Sequence, residues 1–253
     1  MRVAVTGATG RMGQEVIEAA QDRGDEVVVA VNRDPDAETV DAVEIEAAAD
    51  LEALLADRDV DALVDFTGPA SALDYVDACA ATGTPAVVGT TGFDEAEESA
   101  LREYAAEIPL LRAANFARGV QALTQAVAEA VEALPGYDVE VTETHHNAKR
   151  DAPSGTAKEL LETIEDHRDA GDRVHGREGE APRSEGEIGV HARRAGDVTG
   201  EHEIMLADNH EVVTLTHRAE SRGVFAAGAL DAAAWLADRD HGYYTFADVV
   251  GDT

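Results

Sequence analysis

The sequence predicts an α/β protein in which a parallel sheet covered by helices is followed by a smaller α+β domain with a mixed, largely antiparallel sheet. Three observations predict this. Strand and helix patterns alternate through the first 114 residues. A glycine turn, G-x-x-G-x-x-G, follows the first strand directly. Strand patterns then succeed one another without helices between them after residue 186. Alternation of apolar strands with helices is the pattern of a doubly covered parallel sheet.

RVAVTG opens the chain as a short apolar strand, and RMGQEVIEAAQDRG carries its apolar residues at helical spacing until Gly24 stops it. EVVVAVN is the second strand and DALVDFTG the third, with a helix expected from about Ala70 to Ala81. TPAVVGTTG is the fourth strand and its turn, an acidic helix follows, and IPLLRAANF is the fifth. The rhythm changes after Phe116. A helix is expected from about Gly119 to Ala133, ended by Pro135-Gly136. YDVEVTETHH alternates as a strand and SGTAKELLETIEDH reads as a helix. Residues 167–184 are polar, charged and glycine-rich, and read as a mobile loop. EIGVHARR, VTGEHEIMLA and EVVTLTHRA are strands, the last two joined by a tight turn at Asp208-Asn209-His210. VFAAGALDAAAWLADR returns to a helical pattern and is expected to pack on the first domain. The expected division is therefore 1–116 with 218–253 as a dinucleotide-binding domain, and 117–217 as a substrate-binding domain.

Composition excludes several partners. Lys plus Arg total 20 against 52 Asp plus Glu, a formal charge of −32. Such a field repels nucleic acid and anionic membranes. The acid is spread over helix faces, as in DEAEESALREYAAE, so it reads as a solvated surface. Heavy acid, abundant alanine and only two lysines suggest a halophilic host whose counter-ions screen the repulsion. The single cysteine, Cys79, rules out an internal disulfide and a cysteine metal cluster, and its helical setting reads as core. The opening MRVAVTGATG reads as a strand and turn rather than a signal peptide, and no apolar run approaches the ~18–20 residues of a membrane span. A soluble cytoplasmic protein is expected.

Gly7, Gly10 and Gly13 stand between a strand and a helix, the context in which glycines let the backbone approach a pyrophosphate at a helix N-terminus. A Rossmann-type domain binding NADPH or NADH is expected. The second strand ends Asn32-Arg33-Asp34. Arg33 suits the extra phosphate of NADP, while Asp34 leaves NAD open. Gly89-Thr90-Thr91-Gly92 and Ala113-Ala114-Asn115-Phe116 lie at carboxyl ends of strands, where such sheets bind ligands, although glycine turns occur there for structural reasons too.

The stretch THHNAKRDAPSGTA concentrates the remaining chemistry. His145 and His146 are adjacent and chelate a metal poorly, and no third ligand has metal-like spacing, so no metal is expected. Asp151-Ala-Pro153-Ser154-Gly155-Thr156 reads as a capped helix start that presents free N–H groups. Lys149 adds a cation in a chain that otherwise chooses arginine, and lysine and histidine can both donate protons. The island suits an anionic substrate such as a carboxylate; the plainer alternative is a capped helix beside an incidental lysine. A nucleotide cofactor with an acidic small molecule and proton donors makes a reductase or dehydrogenase.

GATGRMG, DFT, GTTGF, AANF, ETHHNAKRDAPSGTA, GEIGVHARRAGDVTGEHE and GALDAAAWL together resemble the 4-hydroxy-tetrahydrodipicolinate reductase (dihydrodipicolinate reductase) family, in that family's order and over almost the whole chain. The resemblance implies hydride transfer from NADPH or NADH to the ring of a small dicarboxylate, in the diaminopimelate route of lysine biosynthesis. It implies that His145 is the acid/base group and Lys149 a second proton donor. It also implies that His146 contacts substrate and the Gly155 and Thr156 backbone holds a carboxylate. Gly7, Ala8, Thr9, Gly10, Arg11, Met12, Arg33, Gly89, Thr90, Thr91, Ala113, Ala114, Asn115 and Phe116 match cofactor contacts, and a homotetramer assembled through the second domain's sheet is implied. Asn32 stands where the family often carries an acid, Gly68 where a charge is common, and Arg118 departs beside the cofactor segment.

Rival readings are weaker. A short-chain dehydrogenase needs Tyr-x-x-x-Lys, but His145 and Ser154 precede the two lysines by four. An aspartate-semialdehyde dehydrogenase needs a cysteine nucleophile, and Cys79 sits within a helix pattern. A non-catalytic NAD(P)-binding sensor, or another Rossmann-type oxidoreductase, is the alternative.

Overall fold

The computed structural model describes residues 1–34 and 39–251. Residues 35–38 and 252–253, both within the expected dinucleotide domain, lie outside the described residues. The chain forms two compact units, Met1–Phe116 with Arg222–Thr253, and Ala117–Ser221.

In the first unit the order is β1 (Arg2–Thr6), α1 (Arg11–Arg23), β2 (Glu26–Asn32), β3 (Thr39–Val40), β4 (Val43–Glu44), β5 (Glu46–Ala47), α2 (Leu51–Asp57), β6 (Ala62–Asp65), α3 (Pro69–Thr82), β7 (Ala86–Val88), α4 (Glu95–Tyr104) and β8 (Pro109–Arg112). The second unit contributes α5 (Arg118–Ala133), β9 (Asp138–His145), α6 (Gly155–His167), β10 (Arg173–His175), β11 (Ile188–Arg194), β12 (Gly200–Asp208) and β13 (Glu211–Ala219). The chain then returns to the first unit as α7 (Gly223–Leu236), β14 (Gly242–Tyr244) and α8 (Phe246–Gly251).

Seven strands form the first sheet in the order β14-β8-β7-β6-β1-β2-β5, and every pair is parallel. The order reverses between β1 and β6, so their carboxyl ends flank the switch point where open α/β sheets bind ligands. Alternate residues of β1 serve opposite faces. Val3 and Val5 join Val16, Ile17, Ala229, Leu230 and Ala233 of α1 and α7, while Ala4 joins Val76 and Cys79 of α3 and Leu101 of α4. Cys79 is fully buried, as a core residue should be. Gly228 lets α7 approach closely, since a Cβ there would come within 1.8 Å of the Phe116 carbonyl oxygen. The flanking strands β5 and β14 have only two and three residues and carry too little pattern for the sequence to announce them.

The second sheet runs β10-β11-β9-β12-β13 and is mixed. β9 pairs parallel with β11 and antiparallel with β12, and β12 pairs antiparallel with β13. β11 and β12 follow one another in sequence yet do not pair. They straddle β9, because β9 brings Val139 and Val141 into the core with Ile188, Val190, Ile204 and Leu206. α5 and α6 cover that face with Leu123, Val127, Val131, Leu160, Leu161 and Ile164. The β12–β13 turn is a two-residue hairpin in which Asn209 and His210 both have positive φ, 47° and 64°. The expected loop at 167–184 contains β10, which pairs parallel with the edge of β11 and is tied to α6 by the Arg173–Glu165 ion pair. A charged strand at a sheet edge looks like a loop in sequence because its side chains stay in water.

Candidate active site

Parallel pairing places every expected cofactor segment of the first unit at the carboxyl ends of its strands. Gly7 leaves β1 with φ +59°, and the amide of Gly10 donates to its carbonyl at 2.8 Å. Gly13, on the first turn of α1, lies so close that a Cβ would stand 2.3 Å from the same oxygen. α1 begins after Gly10 with no side-chain cap, so its first N–H groups are available to a phosphate. The turn thus fits a dinucleotide on its own geometry. Asn32 donates from Nδ2 to Thr9 Oγ1 at 2.7 Å and so braces the turn. Arg33 is exposed and its guanidinium donates to Ser71 Oγ on α3. Asp34 is exposed and its carbonyl accepts from Asn32 at 3.2 Å.

The other expected cofactor residues divide by environment. Gly10 and Arg11 are exposed, whereas Ala8 is buried and Met12 packs against the core. Thr91 is exposed, but Thr90 is 3 % exposed and donates to Asp65 Oδ2 at 2.6 Å. A Cβ on Gly89 would strike the Phe66 ring. Ala113 is buried, Ala114 and Asn115 are half-buried, and Phe116 is 1 % exposed between the rings of Phe66 and Phe246 at 5.6 and 5.3 Å. The Phe116 side chain therefore belongs to the core, and only its backbone suits a ligand contact.

Asp65, which sequence reasoning passed over within DFT, organises these strand ends. It is fully buried and accepts from Thr6 Oγ1 at 2.6 Å, Thr67 Oγ1 at 2.7 Å and Thr90 Oγ1 at 2.6 Å. One carboxylate thereby links the carboxyl ends of β1, β6 and β7.

In the second unit β9 ends at His145, and His146 opens a turn in which the Lys149 amide donates to its carbonyl at 3.2 Å. The end of the strand between the two histidines frees them from strict alternation. His145 is the more constrained. Its Nδ1 lies 2.6 Å from Glu143 Oε2, and its ring stands edge-on to His202 at 5.2 Å between centroids. Glu143 also accepts two N–H groups of Arg194 at 2.8 and 2.7 Å and the Ser154 amide at 3.1 Å. Burial pushes the Glu143 carboxyl up, but hydrogen bonds from His145 and Arg194 outweigh it and hold it at about 2.

Ser154 caps α6, its Oγ accepting the Ala157 N–H at 3.2 Å, so the expected helix start is formed. Gly155 is exposed there and Thr156 is 7 % exposed. His202 is 3 % exposed and places Nε2 3.0 Å from Ser154 Oγ. Burial, together with the nearby charge of His145, lowers His202 to about 4. Lys149 Nζ lies 2.9 Å from Asp151 Oδ1, so the lysine charge is shared with a carboxylate of its own turn. Among the described residues no cluster of His, Cys, Asp and Glu could hold a metal ion. No helix among them is long and apolar enough to cross a membrane.

Residues 1–116 match the family described as "Dihydrodipicolinate reductase, N-terminus", and residues 119–250 match "Dihydrodipicolinate reductase, C-terminus". The chain belongs to the dihydrodipicolinate reductase family. Among its relatives, the 4-hydroxy-tetrahydrodipicolinate reductase of Haloarcula marismortui is 56% identical over 98% of both chains. That of Natronomonas pharaonis is 53% identical over 99% of this chain and 100% of its own. Among solved structures, a dipicolinate-bound dihydrodipicolinate reductase from Paenisporosarcina sp. TG-14 superposes with a TM-score of 0.77 over 97% of each chain, at 24% identity. An amine dehydrogenase from Mycobacterium smegmatis shares the fold at a TM-score of 0.65 and 13% identity, covering 98% of this chain and 95% of its own.

This member of the family is thus an oxidoreductase with a domain of the nicotinamide-binding type. Beyond the expected residues, its polar cluster contains Glu143, Arg194 and His202. A faint signal for Glu143 existed, because a residue two before His145 on a strand shares its face. No comparable signal existed for Arg194 or His202. They reach the site by strand register, Arg194 opposite His145 and His202 opposite Glu143.

Proposed function

We propose that the chain reduces 4-hydroxy-tetrahydrodipicolinate to tetrahydrodipicolinate and water in the diaminopimelate route of lysine biosynthesis, with His145 exchanging protons and Lys149 as second donor. The observation that carries this is the convergence of His145, the N-terminus of α6 and the Lys149 turn around Glu143 and Arg194. A dicarboxylate needs neutralising donors. Gly155 and Thr156 offer backbone N–H groups at the first turn of α6, and His146 stands at the head of the adjacent turn. Lys149 and His145 offer protons to a ring that gains negative charge.

Gly7 to Met12 with Gly13, Arg33, Gly89 to Thr91 and the backbone of Ala113 to Phe116 would hold the dinucleotide, which when bound supplies the hydride. NADPH is favoured over NADH, because Arg33 and Asn32 stand where an acid would select a free ribose diol. The same reading makes residues 117–217 the substrate-binding domain, the location cytoplasmic, the assembly a homotetramer through the second sheet, and the setting one of high salt. The charge of −32 supports the last of these.

The test is reduced-nicotinamide oxidation with freshly generated substrate, using NADPH and NADH in parallel. Lys149→Ala should lower turnover about 100- to 10,000-fold while leaving NADPH binding intact. Undiminished turnover in that variant would overturn the proton-donor role of Lys149, and absence of turnover in the wild type would favour the non-catalytic sensor. A clear NADH preference would overturn the Asn32-Arg33 reading.

A further inference from the structure

We propose that Glu143 is a positioning residue of this reduction, a single buried carboxylate that fixes the tautomer of His145 and registers the N-terminus of α6 against it. This role rests on His145 being the acid/base group and adds how that group is set.

Glu143 is 1 % exposed and lies two residues before His145 on the same face of β9. An ionised carboxylate has about four lone-pair positions and no proton to give. Here four N–H groups fill them. Oε2 faces His145 Nδ1 at 2.6 Å and one Arg194 nitrogen at 2.8 Å. Oε1 faces the other Arg194 nitrogen at 2.7 Å and the Ser154 amide at 3.1 Å. Because the carboxylate only accepts, His145 Nδ1 carries a proton whether the ring is neutral or charged. Nε2 is then the atom at which His145 gains and loses its proton. Gly200 leaves room beside it, since a Cβ there would approach Nε2 to 3.1 Å.

The remaining contacts extend the register. Arg194 sits opposite His145 in the β9–β11 ladder and also donates to the Asp151 carbonyl at 2.6 Å. Ser154, held through its amide by Glu143, is the cap of α6. The proton-exchanging atom and the N–H groups proposed to hold the substrate carboxylate therefore share one anchor. A plain Glu143–Arg194 ion pair would account for the arginine but not for a carboxylate that also serves the imidazole and the helix cap.

Imidazole-nitrogen NMR tests this without substrate, the His145 resonances being identified by their loss in His145→Asn. The neutral wild-type ring should be the Nδ1–H tautomer. The Nε2–H form there would overturn the proposal, whatever any variant does. Glu143→Gln keeps the size but has one oxygen. With that oxygen toward Arg194 and Ser154, its amide nitrogen faces Nδ1 and drives the proton to Nε2. Folded Glu143→Gln should show the switched tautomer and a kcat lowered about 100-fold or more, with KM for NADPH unchanged. An unswitched ring in the folded variant would overturn the positioning role. A switched ring with undiminished kcat would sink the acid/base reading of His145, and this role with it.

Discussion

His202 Nε2 lies 3.0 Å from Ser154 Oγ, the oxygen that also receives the Ala157 N–H at the head of α6. The ring is 3 % exposed, and its Nδ1 is buried without a partner among the described residues. A buried N–H left unpaired costs about 1–3 kcal/mol, so the proton belongs on Nε2, where it is donated to Ser154. His202→Leu should remove that donor and raise KM for the substrate about 10-fold, with little change in NADPH binding. His202→Gln, whose amide nitrogen reaches a similar place, should recover most of the loss. Equal damage from both substitutions in steady-state kinetics would show that ring packing matters and the bond does not.

Asp65 should matter to the cofactor rather than the substrate. It joins Thr6, Thr67 and Thr90 across three strand ends. Asp65→Asn retains the volume but replaces one acceptor oxygen by a donor, leaving at least one hydroxyl mismatched at about 1–3 kcal/mol. The expected result is NADPH binding weakened about 10-fold or more in a fluorescence titration. An unchanged dissociation constant would contradict that role.

Gly13→Ala should abolish measurable NADPH binding. Its Cβ would lie 2.3 Å from the Gly7 carbonyl, and backbone on both sides leaves no flexible neighbour to yield. A thermal unfolding scan should also show a loss of about 1–3 kcal/mol. Gly251→Ala has no neighbour within 4 Å of the added atom and serves as the tolerated control.

Acid should weaken the protein in two stages. His202 is lowered from 6.5 to about 4 by burial, so the unfolded chain takes up its proton first. The stability from the neutral ring is complete above the unfolded value and falls away as pH drops from 6.5 to about 4. Glu143 is held at about 2 against an ordinary 4.5 by His145 and Arg194, and its contribution, present above 4.5, disappears as pH falls between those values. Denaturant midpoints across this range should fall in wild type, and His202→Gln should flatten the upper stage alone.

Salt should stabilise the fold. A net charge of −32 repels itself, and raising ionic strength from about 0.1 to 1 M shortens the Debye length from about 10 to 3 Å. The melting temperature should climb across a potassium chloride series. A flat response would contradict the salt-adapted reading of the composition.

The features legible in sequence are those with a local cause. Gly7, Gly10 and Gly13 announced a close backbone turn because Gly7 has φ +59° and a Cβ on Gly10 or Gly13 would crowd the Gly7 carbonyl. Asn209-His210 announced a hairpin, and Ser154 a helix cap, through chemistry confined to a few neighbours. Polar β10 and the two- and three-residue strands β5 and β14 escaped notice, because pairing at an edge needs no hydrophobic period.

By itself the sequence determined the alternation that makes a parallel sheet, the glycine turn, and the histidine–lysine stretch ahead of a capped helix. Only the tertiary structure decided that β9 lies between β11 and β12, and so which side chains surround His145. Glu143, Arg194 and His202 meet because ladder register sets their neighbours, and register depends on which apolar faces pack against α5 and α6. Packing within the first unit put the Phe116 ring in the core, and a contact within its own turn left Lys149 sharing its charge with Asp151, because burial and pairing are properties of neighbours that residue spacing does not encode.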